Sequence, residues 1–347
     1  GRSFVQGSAG PWDLILSEPS NPWIAGVANL FTEEFYRSAQ SKLSRDGILV
    51  QWLQAYSFSE REYALVIRTL TRVFGRCLLV RISDYDTLLV VGNGDLLPRA
   101  AALDELQRRV DTLQPAHDDL ERYFGTSDIR TLLLGRVLLD ERGVQQFVAS
   151  VGGDELNTDL NLRLEFDAPR RLFHERGDPG AETMRLMCAA YDVALLQRMC
   201  TQWRVDARQL AGLKQLKTLL FQNLNNAQAT NVVDLALAYD SEDAELLTDQ
   251  LLFAPEVAPD EFLEITRRIT ARAPLEALRL GLSLTRLNQD VAARMVFEHL
   301  TVAHPNSVTA WTQYSIALKL LRQDSEAVIA LDKARSLDPL DDAFRPR

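Results

Sequence analysis

The carboxyl-terminal part of the chain repeats itself at a fixed offset, so that residue 277 corresponds to residue 311. Small residues and large apolar residues fall at equivalent positions in two consecutive segments, 274–307 and 308–341, and each segment ends near a proline. The matched positions are Ala277/Trp311, Leu280/Tyr314, Gly281/Ser315, Leu284/Leu318, Ala293/Ala327, Phe297/Leu331, Leu300/Ala334 and Pro305/Pro339. Small side chains let two helices approach closely, and proline cannot continue a helix. The pattern therefore predicts two successive helix pairs in one register.

A repeat of this length made of two helices resembles the tetratricopeptide repeat, whose period is about 34 residues. Such units bury their apolar faces against one another, and about three are needed for stability. We therefore expect earlier, degenerate helix pairs within 180–273 and an all-α region over 180–347. The alternative is that the two segments are unrelated amphipathic helix pairs.

Residues 12–93 alternate the signals of strands and helices. Apolar runs predict strands over 12–17, 48–53, 77–82 and 87–91, and the last two are close enough to form an antiparallel hairpin. Arg45-Asp46-Gly47 is the predicted turn into the second strand. The order of elements predicts an α/β fold, specifically the C-terminal half of a doubly wound sheet.

Two helices in this part have clear starting signals. Thr32 has the character of an N-cap, and Ser59 with Glu62 has the spacing of a capping box. Beyond them the pattern turns helical over about 97–150, and a short alternating segment over 160–166 predicts a strand or an extended arm.

The charge balance excludes some partners. The chain has 38 Lys and Arg against 48 Asp and Glu, a net charge of −10, which disfavours non-specific binding of nucleic acid or anionic lipid. The three cysteines form no C-x-x-C pair, and the four histidines lack metal-ligand spacing, so we expect no metal site and a reducing compartment. No apolar run is long enough to cross a membrane. The sequence predicts a cytoplasmic location for this portion.

Gly1-Arg2-Ser3-Phe4-Val5 is typical of a chain that is already entering a strand. A buried strand over 12–17 needs neighbours, and little sequence precedes it. We therefore expect this sequence to be a fragment that lacks an N-terminal part.

The first strand leads into the loop Ser17-Glu18-Pro19-Ser20-Asn21-Pro22-Trp23. In open α/β sheets ligands bind outside the carboxyl ends of the strands. Two prolines stiffen this loop, so it can hold a carboxylate and an amide at fixed positions. Glu18 is then suited to bind an ammonium group or to take its proton. Equally, Glu18 and Asn21 are suited to cap the next turn.

Two motifs in this region resemble the spermidine synthase (polyamine aminopropyltransferase) family. One is Glu18-Pro19-Ser20-Asn21-Pro22, and the other is Leu30-Phe31-Thr32-Glu33-Glu34-Phe35-Tyr36, which matches the family's pattern at every defined position. The resemblance implies a class I methyltransferase-like Rossmann sheet. It also implies that Glu18 is the catalytic base, in place of an Asp, and that Asn21 and Tyr85 bind the amine.

The resemblance covers roughly 1–172, with 97–150 as a helical insertion. The segment Asn157-Thr158-Asp159, followed by Phe166 and Pro169, is similar to the family's closing segment, with Asn161 where the family has His. The sequence looks like the long bacterial members, which implies a membrane-anchored N-terminal region in the full-length protein. We accordingly assign 1–172 to a partial synthase-like domain and 180–347 to the helical repeats.

The resemblance further implies decarboxylated S-adenosylmethionine as co-substrate, with no tightly bound cofactor. The family's cofactor-binding motifs belong to strands that are absent here, so we expect this fragment alone to be inactive. Asn21 removes a negative charge from the amine site, so the acceptor is expected to differ from putrescine. Gln51 and Gln54 lie near a substrate-contacting Gln of the family, but neither aligns cleanly.

Two other functions remain open. In the first, the synthase-like half is degenerate, and the repeats bind a protein partner through their concave face. In the second, Asn21-Pro22-Trp23 is a variant of the Asn-Pro-Pro-aromatic motif of S-adenosylmethionine-dependent methyltransferases. The expected partners are thus a small-molecule amine and, through the repeats, a protein, with no nucleic acid.

Overall fold

The structure is a computed structural model that describes residues 1–19, 24, 26–56, 58–166, 179–253 and 257–338. The chain forms two compact units, 1–232 and 233–347. The sequence predicts that the synthase-like domain ends at residue 172 and that the helical repeats begin at residue 180. This domain boundary stays a prediction. No helix among the described residues is both long enough and apolar enough to span a membrane.

A mixed five-stranded sheet forms the centre of the first unit. Its strands are β1 (Trp12–Ser17), β2 (Leu43–Gln54), β3 (Leu78–Arg81), β4 (Asp86–Gly92) and β5 (Val137–Leu139), and they lie in the order β1-β2-β4-β3-β5. The neighbours β1 and β2 pair in parallel, whereas β4 is antiparallel to both β2 and β3, and β5 is antiparallel to β3. The predicted hairpin of β3 and β4 is confirmed. The sheet is thus mixed. That it forms the C-terminal half of a doubly wound sheet stays a prediction.

Helices α1 (Arg2–Gly7), α2 (Glu33–Lys42) and α3 (Glu60–Phe74) accompany these strands. The strand predicted at residues 1–5 is wrong, because α1 occupies this segment. The predicted starting signals are both present. Thr32 Oγ1 accepts a hydrogen bond from the Phe35 amide, and Ser59 and Glu62 form a complete capping box. Gly75 ends α3 at φ 79°, a conformation that glycine adopts without strain. The buried side chains of alternate strand positions, including Leu49, Leu53, Leu89 and Val91, form the core below the sheet.

The strand β2 begins earlier than predicted. Arg45-Asp46-Gly47, the predicted turn, lies inside β2 as an irregularity of its register with β1, since Trp12 pairs with Leu43 and Leu14 already pairs with Ile48. A Cβ on Gly47 would lie 2.6 Å from the Trp12 carbonyl oxygen. The chain does deviate where the sequence indicates a turn, but pairing with β1 absorbs the extra residues.

The predicted helical insertion contains a strand. Its helices are α4 (Ala100–Thr112), α5 (Gln114–Phe124), α6 (Ile129–Leu134) and α7 (Glu141–Val151), and β5 lies between the last two. The strand or arm predicted over 160–166 is wrong, because 159–161 form a turn and 163–166 are helical. Leu164 is buried there, but Leu160 faces solvent.

All described elements after residue 178 are helical, as predicted. The first unit continues with α8 (Pro179–Ala189), α9 (Val193–Trp203), α10 (Leu210–Gln222) and the start of α11 (Asn226–Leu237). The second unit contains α12 (Ala244–Phe253), α13 (Pro259–Arg272), α14 (Pro274–Arg286), α15 (Asp290–Ala303), α16 (Val308–Leu320) and α17 (Asp324–Leu337).

The predicted register of the two helix pairs is confirmed. Helices α14 and α16 begin at residues 274 and 308, and α15 and α17 begin at 290 and 324, so both helices of a pair repeat at the predicted offset. The turns are equivalent too, because Asn288 and Arg322 both adopt φ 58°. Ala293 and Ala327 are fully buried at the predicted close contacts. Pro339 lies outside the described residues.

Candidate active site

Three segments of the first unit meet at the carboxyl edge of the parallel strands. Ser17, the last residue of β1, pairs with Gln51, and Gln54, the last residue of β2, pairs with Asp86 at the start of β4. Glu18 directly follows Ser17, and Tyr85 directly precedes Asp86. Two of the three predicted site residues therefore lie at one edge of the sheet. Asn21, the third, lies outside the described residues.

Glu18 is exposed, whereas its neighbours Ser17 and Pro19 are buried. A buried residue on either side fixes the backbone, while the carboxylate itself faces solvent. An exposed carboxylate can attract a cation. Glu18 is thus accessible to an incoming amine.

Tyr85 occupies a structured turn. The Tyr85 carbonyl oxygen accepts a hydrogen bond of 2.6 Å from the amide of Ala55, which lies just beyond the end of β2. The Tyr85 amide donates a hydrogen bond of 3.3 Å to Ser83 Oγ. The residue is 38% exposed. A Cβ on Gly180 would lie 2.8 Å from Tyr85 Cδ1, so the first turn of α8 approaches the ring closely. The ring is therefore held on one side and open on the other.

Two further polar residues, to which the sequence resemblance assigns no role, lie near this edge. Gln51 and Gln54 are both fully buried near the end of β2. Gln51 Nε2 donates to the Ser17 carbonyl oxygen at 3.3 Å and to the Trp52 carbonyl oxygen at 3.0 Å. Its carbonyl oxygen, Oε1, is buried and has no hydrogen-bond partner among the described residues. A buried acceptor without a donor costs free energy.

A rigid polar contact supports this edge from below. The hydroxyl of Tyr63 on α3 hydrogen-bonds Thr87 Oγ1, which in turn donates to the Leu53 carbonyl oxygen at 2.8 Å. Burial raises the pKa of Tyr63, so the phenol stays neutral. The ring of Tyr63 also packs edge-on against Phe147, with 6.0 Å between centroids. These contacts fix the end of β2 against α3.

The Leu30–Tyr36 motif and the Asn157 segment of the sequence resemblance lie together. Asn157, fully buried, donates from Nδ2 to the Phe31 carbonyl oxygen at 3.1 Å, and its own backbone carbonyl oxygen accepts from the Glu33 amide at 2.9 Å. The neighbouring Asp159 forms an ion pair with Arg2. The Asn157 segment therefore fastens the start of α2 and is a structural latch rather than part of the exposed edge.

A separate groove lies away from this edge of the sheet. It has a volume of about 830 Å³ between α3 and α7, at the carboxyl end of α3 near Arg72 and Gly75. Because α3 begins at the carboxyl edge of β2, its other end lies at the opposite edge of the sheet. Arg68 and Asp154 both line it, so its charges are mixed. No group of His, Cys, Asp or Glu within the described part of the chain is arranged to hold a metal ion.

Comparisons with known proteins give one partial match by sequence. No protein-family model matches the chain. A stretch of 150 residues is 29% identical to the polyamine aminopropyltransferase of Synechococcus sp. (strain JA-2-3B'a(2-13)), covering 43% of this chain and 42% of that protein. The match thus spans less than half of that relative's length.

Solved structures give a weak match. The crystal structure of MamA protein is similar with a TM-score of 0.31 and 15% identity, over 48% of this chain and 88% of that chain. The structure named MamA MSR-1 C2 gives a TM-score of 0.27 and 16% identity, over 46% of this chain and 87% of that chain. Scores this low carry no argument about function.

Proposed function

We propose that this chain is part of a spermidine synthase-like aminopropyltransferase. The observation that carries the proposal is that two acceptors lie near one edge of the sheet. They are the exposed carboxylate of Glu18 and the Oε1 atom of Gln51, which lies opposite Ser17 and is unpartnered among the described residues. Both attract N–H donors, and an amine substrate is such a donor. The 29% identity over 150 residues to a polyamine aminopropyltransferase supports the same reaction.

The proposed fold is the carboxyl-terminal part of a doubly wound sheet. The parallel pair of β1 and β2, connected through α2, supports it, because parallel neighbours joined by a helix are the unit of such sheets. The position of β1 supports it as well, since β1 ends the strand order and its outer edge has no partner strand among the described residues. We propose that other strands continue the sheet there and contribute the binding site for decarboxylated S-adenosylmethionine.

The reaction transfers an aminopropyl group. The nitrogen lone pair of the acceptor amine attacks the methylene carbon next to the sulfonium, and the carbon–sulfur bond breaks to leave a neutral thioether. The amine must first lose a proton, and Glu18 is the proposed base that takes it. Gln51 Oε1 accepts a hydrogen bond from the remaining N–H, and Asn21 and Tyr85 orient the amine.

The spacing of the edge favours an extended acceptor. Strands lie about 4.8 Å apart and rise about 3.3 Å per residue, which puts the Cα atoms of Ser17 and Asp86 roughly 14 Å from each other. Glu18 and Tyr85 follow and precede these residues. We propose that they contact different ends of one long ligand.

The test is a transfer assay on the natural protein that contains this chain. Decarboxylated S-adenosylmethionine is supplied with a panel of di- and polyamines, and the carboxylated sulfonium is supplied in parallel to detect a methyltransferase. We expect aminopropyl transfer to an amine and no methyl transfer. Methyl transfer alone, or no transfer to any amine, would contradict the proposal.

The role of Glu18 is tested in the same assay. Glu18→Gln should lower turnover by roughly two to four decades, the usual contribution of a general base. Glu264→Gln removes the same charge from an exposed position on α13 and should leave turnover unchanged. Activity of Glu18→Gln within about tenfold of the parent would remove Glu18 from the mechanism.

A second candidate function is a protein-binding adapter. The observation that favours it is the regular helix-pair register together with large apolar side chains exposed on the second unit, such as Leu275, Val302 and Ile329. Exposed apolar groups on stacked helices are typical of protein-binding surfaces. An inactive natural protein that loses a copurifying partner when these three residues become Lys would favour the adapter over the transferase.

A further inference from the structure

A groove of about 360 Å³ lies in the first unit between α10 and the ends of β3 and β5. Arg81 ends β3, and Arg136 precedes β5; the Arg81 amide donates to the Arg136 carbonyl oxygen at 2.8 Å, which brings the two residues together. Helix α10 forms the facing wall with Lys214, Gln215, Thr218 and Gln222. Neither Glu18 nor Tyr85 lines this groove, although Arg81 lies in the β3–β4 hairpin that also contains Tyr85.

The side chains lining this groove carry one sign of charge. Arg81, Arg136 and Lys214 are cationic, and no Asp or Glu is among the described residues that line the groove. This contrasts with the net charge of −10 of the whole chain. Arg81 forms an ion pair of 2.5 Å with Asp84, whose side chain is largely exposed. A carboxylate that remains in water neutralises only part of the charge of Arg81.

Arg136 has no carboxylate partner within the described residues. Its Nη1 donates to the Ile82 carbonyl oxygen at 2.6 Å, and its guanidinium lies 4.6 Å from the centroid of the Phe124 ring. Its Nε is buried with no hydrogen-bond partner among the described residues, as is the Nε of Arg81. Burial first, and the charge of Arg81 second, lower the pKa of Arg136. Two partly desolvated like charges are costly unless an anion joins them.

We propose that this groove binds a small ligand bearing one or two phosphate groups, held between Arg81 and Arg136. The guanidinium fork matches the oxygens of a phosphate, and hydrogen bonds of this kind are among the strong ones. Gln215, Thr218 and Gln222 add amide and hydroxyl groups on the opposite wall. The volume lies at the lower end of the range for small-ligand sites. This site is independent of the proposed transferase reaction.

The experiment titrates the chain with pyrophosphate, inorganic phosphate and sulfate at constant ionic strength, in a calorimeter. We expect saturable binding of one pyrophosphate per chain and weaker binding of phosphate. Thr218→Glu places a carboxylate inside the groove, on the exposed surface of α10, and should weaken pyrophosphate binding by roughly tenfold or more.

Thr201→Glu is the matched control. Thr201 is exposed on α9, and its hydroxyl donates to the carbonyl oxygen four residues earlier at 2.9 Å, as the hydroxyl of Thr218 does. This variant changes the net charge equally and should bind pyrophosphate as the parent does. Absence of saturable binding, equal weakening by both variants, or sulfate binding as tight as that of pyrophosphate would each overturn the proposal.

Discussion

The side-chain amide of Gln51 is buried, and its nitrogen and oxygen atoms differ in their hydrogen bonding. Its nitrogen donates to the carbonyl oxygens of Ser17 and Trp52, and its oxygen is unpartnered among the described residues. A lost hydrogen bond costs about 0.5–1.5 kcal/mol, while removing a buried unsatisfied acceptor gains about 1–3 kcal/mol. Gln51→Met, which keeps the side-chain length, should therefore change the stability little.

The same variant should weaken amine binding in the transferase. A hydrogen bond to a charged donor contributes about 1.5–3 kcal/mol, so KM for the amine should rise by roughly tenfold or more. Thermal melts and steady-state kinetics of Gln51→Met check both expectations. A large fall in Tm with an unchanged KM would make Gln51 a structural residue only.

The sequence indicates Glu18 because a carboxylate after a buried strand is a local signal. Gln51 cannot be selected that way, because a glutamine inside a strand has the same pattern whether it bonds its neighbours or a ligand. Its significance depends on which atoms remain unpartnered after β1 and β2 pair. That is a property of tertiary structure, which the order of residues does not reveal.

At the scale of elements, the two helix pairs form the same close contact between their helices with different pairs of residues. Gly281 on α14 faces Phe297 on α15, and a Cβ there would lie 2.5 Å from Phe297 Cζ. One period later the same positions hold Ser315 and Leu331, and Ser315 Oγ donates to the Ala327 carbonyl oxygen at 2.8 Å. A larger residue on one helix is thus matched by a smaller one on the other.

This compensation gives a double-mutant prediction. Gly281→Ser should lower the free energy of unfolding by about 1–3 kcal/mol through overpacking against Phe297. Combined with Phe297→Leu, the total loss should be smaller than the sum of the single losses by about 1 kcal/mol or more. Urea denaturation of the four proteins measures the coupling. Additive losses would show that the two positions do not share a contact.

The turns within the pairs carry a further prediction. Asn288 and Arg322 share the left-handed conformation, which asparagine adopts readily and arginine does not. Arg322→Gly should raise the free energy of unfolding by about 0.5–1 kcal/mol, after the entropy that glycine adds to the unfolded chain. Asn288→Gly should have a smaller effect. Equal changes in the two variants, measured by urea denaturation, would contradict this account.

Elements with local signals are predictable, and elements made by pairing are not. The N-caps at Thr32 and Ser59 depend only on residues within one helical turn. The sequence therefore predicts the starts of α2 and α3 to within one residue of those observed. The three residues of β5 form a strand because β3 offers an edge, and no periodicity marks so short a segment. The alternation over 160–166 misleads for the opposite reason, since no neighbouring strand among the described residues pairs with it.

At the scale of the whole molecule, the outer edge of β1 governs behaviour in solution. Within the described residues no strand pairs with it, and it contains no proline and a single charged residue, Asp13. Unprotected edges with apolar side chains promote association between chains. Chain 1–347 alone should therefore self-associate as its concentration rises.

Leu14→Lys should reduce this association, because lysine on an edge strand opposes pairing with another edge. Leu287→Lys is the matched control, since Leu14 and Leu287 are both 55% exposed and Leu287 lies at the end of α14, outside any strand. Light scattering over a concentration series compares the two variants. If both variants disperse the protein equally, general charge rather than the strand edge is responsible.

The Asn157 latch has a consequence for the timing of biosynthesis. Its side chain bonds the carbonyl oxygens of Ala28 and Phe31, which precede it by 129 and 126 residues. At about 5–20 residues per second, a ribosome needs roughly 6–25 s to add the intervening chain. The β1–β2 pair is available much earlier, since Ser17 and its partner Gln51 are close together in the sequence. During translation the segment before α2 therefore lacks these hydrogen bonds until residue 157 has been added.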